Sequence, residues 1–292
     1  MRDYIIMTDS CCDLSQQEVE ELDLTVLPLS FTIEGKTLLN TPDHADMSPE
    51  EFFAKIAAGA DCTTAAVNVG QFTDAMEKVL QEGKDILCVC FSSALSTTYQ
   101  SACIAAEDMR EKHPEAKILV IDSLSASRGQ GMLLYRAVRE RREKNLTIDE
   151  LDAYVRSIIQ SQCHWFIVDD LNHLKRGGRV SSTAALVGTM LGIKPVMHTD
   201  SEGRLTPVSK ARGTKAALRA LVDKVGEIGV DPVKNQPMLI CHANCPESVE
   251  YVKGLLKERF GVTDVRDDFI GPVIGAHTGC GTLGLFFVGT ER

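Results

Sequence analysis

This sequence lacks a membrane segment: no stretch approaches about 18 uninterrupted apolar residues. Low-complexity tracts, short-period repeats and heptad runs are also missing, which argues against solenoids, coiled coils and long disordered linkers. The first apolar run, Tyr4–Thr8, is interrupted by Asp9 and is shorter than a secretory signal needs. It reads as a first strand, and a cytoplasmic protein is expected. An excess of positive charge is wanting as well. The net charge of -10 argues against a nucleic-acid partner, because phosphate binding needs a basic footprint. Finally, Cys241-His242-Ala243-Asn244-Cys245 has no second paired cluster at zinc-site spacing, so no metal is expected and a strand end is the reading preferred.

What is present is the composition of a globular protein, 44% hydrophobic and 25% charged, with only 5% aromatic residues. A chain of 292 residues is long enough for two packed domains, expected at 1–160 and 161–292. Such a chain buries its own core without disulfides. Several of the ten cysteines (Cys88, Cys90, Cys163, Cys241) sit inside apolar runs, where a reduced thiol packs as a small hydrophobe. Charge is unevenly spread. Between Leu171 and Arg219 nine basic residues face only Asp200 and Glu202, a local +7 that leaves -17 elsewhere. That basic stretch is either an ordinary solvated face or the mark of an anionic ligand or partner.

Short β-rich runs alternate with helical periods, the pattern of an α/β fold. Strands are expected at Tyr4–Thr8, Leu24–Phe31, Asp85–Phe91 and Ala116–Ile121, with a mostly parallel sheet flanked by helices. Ser48-Pro49-Glu50-Glu51 supplies an N-cap, a first-turn proline and acidic residues for one helix. In the second half, strands at His164–Val168, Ile193–His198, Arg204–Lys210, Met238–His242, Val262–Phe269 and Leu283–Val288 suggest a mixed sheet with helices. A helix of small residues, Thr183–Leu191, is a candidate pocket wall, although plain helix–sheet packing is the reading preferred.

Three hydroxyl-bearing sites stand at strand ends or turns: Thr63-Thr64, Ser92-Ser93 and His277-Thr278, the last expected in a glycine-rich turn, Gly271 to Gly279. Taken singly, a strand-end Ser or Thr is commonly a helix cap and a His in such a turn a structural hydrogen-bonder. Taken together they offer neutral donors suited to a buried carboxylate, with a helix N-terminus beyond Ser93 adding a favourable dipole.

Seven blocks in series resemble the DegV family. They are Asp9-Ser10-Cys11-Cys12-Asp13-Leu14, Phe91 to Ala102, Ile121 to Ser127, Val168 to Arg179, Gly192-Ile193-Lys194-Pro195, Lys210-Ala211-Arg212-Gly213 and Gly271 to Gly279. The resemblance runs in order over essentially the whole chain. It implies two α/β domains binding one long-chain fatty acid in the cleft between them, the acyl pocket belonging to the second, with Thr64, Ser93, His277 and Thr278 as carboxylate ligands and no cofactor. It also implies a partner, the catalytic subunit of bacterial fatty acid kinase, which phosphorylates the bound acid. Arg176, Arg179 and Arg212 are then candidates for kinase docking or phosphate contact, and transient contact with a membrane stays open. One departure stands out. Family members carry a Thr-Ser-Gln-Pro-Ser-Pro-Gly-like stretch, whereas this chain reads Thr64-Ala65-Ala66-Val67-Asn68-Val69-Gly70. The threonine and glycine persist, and the glutamine and both prolines are gone.

The competing class is a serine hydrolase, with Ser93 as nucleophile, His277 as base and Asp122 or Asp9 as orienting acid. The Gly-x-Ser-x-Gly elbow is absent around Ser93. A carrier needs none of these roles, since burying a 16-carbon chain supplies on the order of 10 kcal/mol before losses and donors need only orient the head.

Overall fold

The computed structural model describes residues 2–181 and 192–292; the expected helix Thr183–Leu191 lies outside them. The first sheet is wholly parallel, in the order β2 (Leu24–Leu27), β1 (Tyr4–Asp9), β6 (Asp85–Cys90), β7 (Ile118–Asp122). All six residues of β6 are buried, as expected of a strand covered on both faces. Side-chain alternation decides what each face meets. Met7, Cys88 and Cys90 pack with Phe72 and Met76 of α3 (Val69–Gln81) and Ala102 and Met109 of α4 (Thr98–Lys112). Ile6, Leu87 and Val89 turn instead to α5 (Arg128–Lys144) and α6 (Ile148–Ile158).

The expected strand Leu24–Phe31 is two strands. Pro28 lies between β2 and β3 (Leu29–Ile33), and a residue without an N–H cannot continue the ladder. The chain thereby leaves the parallel sheet and enters a separate antiparallel one, β4–β3–β5, with β4 at Lys36–Asn40 and β5 at Cys62–Ala65. Ser48 accepts from Glu51 N and caps α2 (Pro49–Ala57), whose Phe52 and Phe53 are buried.

The second sheet is mixed, in the order β10 (Leu205–Arg212), β9 (Ile193–Thr199), β8 (Gln162–Ile167), β13 (Leu283–Val288), β11 (Met238–His242), β12 (Val265–Phe269). The fold is thus two α/β arrangements, one on a parallel and one on a mixed sheet. One face of the second sheet is covered by Leu218 and Val222 of a helix at Thr214–Ile228 and by Val252 and Leu256 of another at Pro246–Phe260. On its other face Leu239, Cys241 and Phe286 join the same core as Met7 and Phe31. The two sheets therefore share hydrocarbon.

Candidate functional site

The segment Gly271 to Gly279, expected as a turn, is a helix. Pro272 occupies its first turn, where a missing N–H costs nothing, and Gly279 ends it at φ +72°. This helix, Pro272–Thr278, is seated tightly: a Cβ on Gly271 would lie 2.6 Å from Asp13 Oδ1, and one on Gly275 would lie 2.8 Å from Phe52. Its last turn projects His277 toward β5, where Nε2 stands 2.9 Å from Thr64 Oγ1. Gly177 closes over the opposite edge of the ring, with room for hydrogen only, since a Cβ there would fall 2.2 Å from Nδ1.

Thr64, Ser93, His277 and Thr278 line a single cavity of about 380 Å³, within the range of roughly 300–1,000 Å³ usual for small-molecule sites. Leu29, Phe91, Leu95, Leu174, Leu205 and Val273 give it apolar walls drawn from both halves of the chain. The polar residues differ in readiness. Ser93 is exposed, and among the described residues its hydroxyl has no bonding partner, while its backbone N–H donates to Asp122 at 3.1 Å. Thr278 is buried and its hydroxyl already donates to Ile274 O at 3.2 Å. The helix expected beyond Ser93 begins only at Thr98, and Ser96 and Thr97 of the intervening loop also line the cavity.

The three arginines do not share one surface. Arg212 is exposed at the end of β10 and does not line the cavity. Arg176 is exposed on α7 (Leu171–Arg176) and lines an adjoining depression that also reaches Thr64 and His277. Arg179, grouped with them for kinase docking or phosphate contact, lines both that depression and the cavity, half-buried, with Nε donating to Leu95 O at 3.2 Å and a second nitrogen donating to Gly177 O. Among the described residues no carboxylate pairs with it. A guanidinium thus stands beside the neutral donors in the lining of the cavity. Burial, and after it the charge of Arg179, pushes the His277 imidazole down to about 4, so the ring is neutral at physiological pH.

A hydrolytic relay is not assembled. Asp122 is occupied by the backbone of Ser93 and Leu124, and Asp9 by the backbone of Phe91 and Cys11. Among the described residues neither carboxylate bonds His277, and Ser93 does not bond it either.

The family model described as an uncharacterised protein of the DegV family matches residues 4–290. The chain belongs to the DegV family. A DegV domain-containing protein of Clostridium perfringens is 39% identical over 292 residues, covering 100% of this chain and 99% of its own. One of Lactococcus lactis is 38% identical, covering 98% of this chain and 97% of its own. Among solved structures, a DegV family protein of Thermus thermophilus, described as fatty acid binding, is 28% identical with a TM-score of 0.85 over 99% of this chain and 100% of that one. A DegV lipid binding protein of Thermotoga maritima is 28% identical with a TM-score of 0.83, covering 99% of each chain. No described helix of this DegV protein is long and apolar enough to cross a membrane.

Proposed function

We propose that this chain is a cytoplasmic carrier that binds one long-chain fatty acid and presents its carboxylate to a separate ATP-dependent kinase subunit for conversion to acyl-phosphate. The observation that carries the reading is the single cavity in which Thr64, Ser93, His277 and Thr278 meet beneath apolar walls. The family's solved fatty-acid-binding members support the ligand class.

The chemistry follows from what each group has to offer. A desolvated carboxylate without partners costs several kcal/mol, so the head must be met by donors. Neutral His277 can give its Nε2 hydrogen to Thr64, which leaves the threonine hydroxyl free to donate onward to the acid. Ser93, whose hydroxyl is unengaged among the described residues, meets the second oxygen, and Arg179 supplies the compensating charge. Positioning the head for in-line attack on a γ-phosphate is itself a large rate effect, so the carrier supplies no nucleophile or base. Arg176 and Arg212, exposed and unneeded for the cavity, serve kinase docking.

Native mass spectrometry of the purified protein tests the ligand: one fatty acid per chain is expected, and a bare chain that also refuses added palmitate would refute the carrier. Charge reversal at Arg176 or Arg212 should leave palmitate binding intact and slow acyl-phosphate formation in the presence of the kinase subunit and ATP. Turnover by the isolated chain would contradict the reading.

A further inference from the structure

A second cavity, of about 300 Å³, opens between α5 and the second sheet and has no lining residue in common with the first. Its floor is hydrocarbon from Leu22, Met132, Val138, Leu239 and Val288. Its rim is the reverse. Arg136, Arg139 and Arg142 follow one another at helical spacing along α5, and Arg266 reaches in from β12. Among the described residues Glu143 is the one carboxylate of the lining.

Like charges three residues apart on a helix repel, so this row costs stability unless something offsets it. Its neighbours offset little. Arg136 donates to Ser161 Oγ at 3.2 Å and Arg142 to Glu21 O at 2.8 Å, both uncharged partners. Arg139 and Glu143 are 3.9 Å apart with 51% and 61% of their side chains exposed, a pair worth little in water. Arg266 is held differently, with Asp264 Oδ1 3.6 Å from its Nε in a half-exposed pair. Its guanidinium sits 5.2 Å from the Tyr135 ring centroid and donates to the Tyr135 hydroxyl at 2.9 Å. That hydroxyl donates to Glu18, which also binds the buried Arg128. One side of the rim is thereby anchored in the core, and Asn235 and Gln236 add uncharged polar groups to the lining.

We propose that this cavity is a second ligand site, for a small amphipathic anion whose apolar body rests on Val288 and the edge of Met132 and whose phosphate or carboxylate head is gripped by Arg139, Arg142 and Arg266. Guanidinium forks match such heads two bonds at a time. The volume lies at the low end of small-molecule sites and suits an octyl chain or a single ring beside the head. The head can belong to a soluble amphiphile or to a membrane lipid, which present the same chemistry. The site stands independently of the fatty-acid reading.

The test uses the full chain labelled at its methionine methyls and titrated with octyl phosphate. The Met132 methyl resonance is expected to shift saturably. In the Arg139→Glu/Arg142→Glu variant, altered at two exposed positions, the midpoint should rise about tenfold, and octanol should leave the resonance in place. Flotation with phosphatidylglycerol vesicles distinguishes the sources: arginine-dependent flotation supports a lipid head, and octyl phosphate binding without flotation supports a soluble ligand. An unmoved Met132, an equal shift with octanol, or an unchanged midpoint in the variant would each overturn the site. Loss of the fatty acid from the first cavity is read separately by native mass spectrometry, so the two readings fail independently.

Discussion

Thr64 and His277 lie 213 positions apart in the chain and meet at 2.9 Å, hydroxyl to imidazole. The contact joins a strand of the small antiparallel sheet to a seven-residue helix of the second half. It fixes the orientation of a ring that burial keeps neutral, and the polar end of the cavity takes its geometry from that pair.

Removing the Thr64 hydroxyl should therefore loosen the ligand and not the fold. In Thr64→Val, palmitate retention is expected to fall by about 1–3 kcal/mol, with the melting temperature nearly unchanged. Displacement of a fluorescent fatty acid measures the first and circular dichroism the second. Full affinity in the variant would remove Thr64 from the site.

His277 also predicts a pH dependence. Its folded value, about 4, lies below the ordinary 6.5, chiefly because of burial and then because of Arg179. Between those values the unfolded chain binds more protons than the native one, so this residue's contribution to stability is lost as pH falls through the window. Comparing wild type with His277→Gln by urea denaturation, the variant should improve relative to wild type by up to about 3 kcal/mol between pH 7 and pH 4. A gap that stays constant with pH would show that the ring titrates normally.

Gly177 gives a steric test with no backbone strain, since its φ is -70°. Alanine there would set a methyl 2.2 Å from His277 Nδ1, forcing the ring aside. Gly177→Ala is expected to impair fatty-acid retention at least as much as Thr64→Val does. Unchanged retention would mean that the ring position does not matter.

Arg128 and Glu18, neither of which lines the first cavity, form a buried ion pair at 2.6 and 2.9 Å, and Arg128 also donates to Asp13 O at 3.2 Å. Truncating one partner strands the other charge. Arg128→Met should cost about 3–5 kcal/mol in urea denaturation. A cost below about 1 kcal/mol would mean that water reaches Glu18.

Much of the fold was legible because its strands are uninterrupted apolar runs of the right length. Asp85–Cys90 and Met238–His242 are examples, and the Ser48-Pro49 cap announced its helix. The break at Pro28 was legible in principle, but the runs on either side disguised it. The glycines around His277 suggested a turn because capping glycines and turn glycines look alike until the intervening hydrogen bonds are known. The four hydroxyl and imidazole groups were named through family resemblance, for no local pattern brings Thr64 to His277. That Arg179 lines the cavity was not legible, because charge content says nothing of which way a side chain points.

Leu239, Cys241 and Phe286 of the second sheet are packed into the same core as Met7 and Phe31 of the first half. A body stitched together in this way cannot swing apart like a clam without wetting its own interior. The two lobes should therefore melt in one cooperative step rather than one after the other.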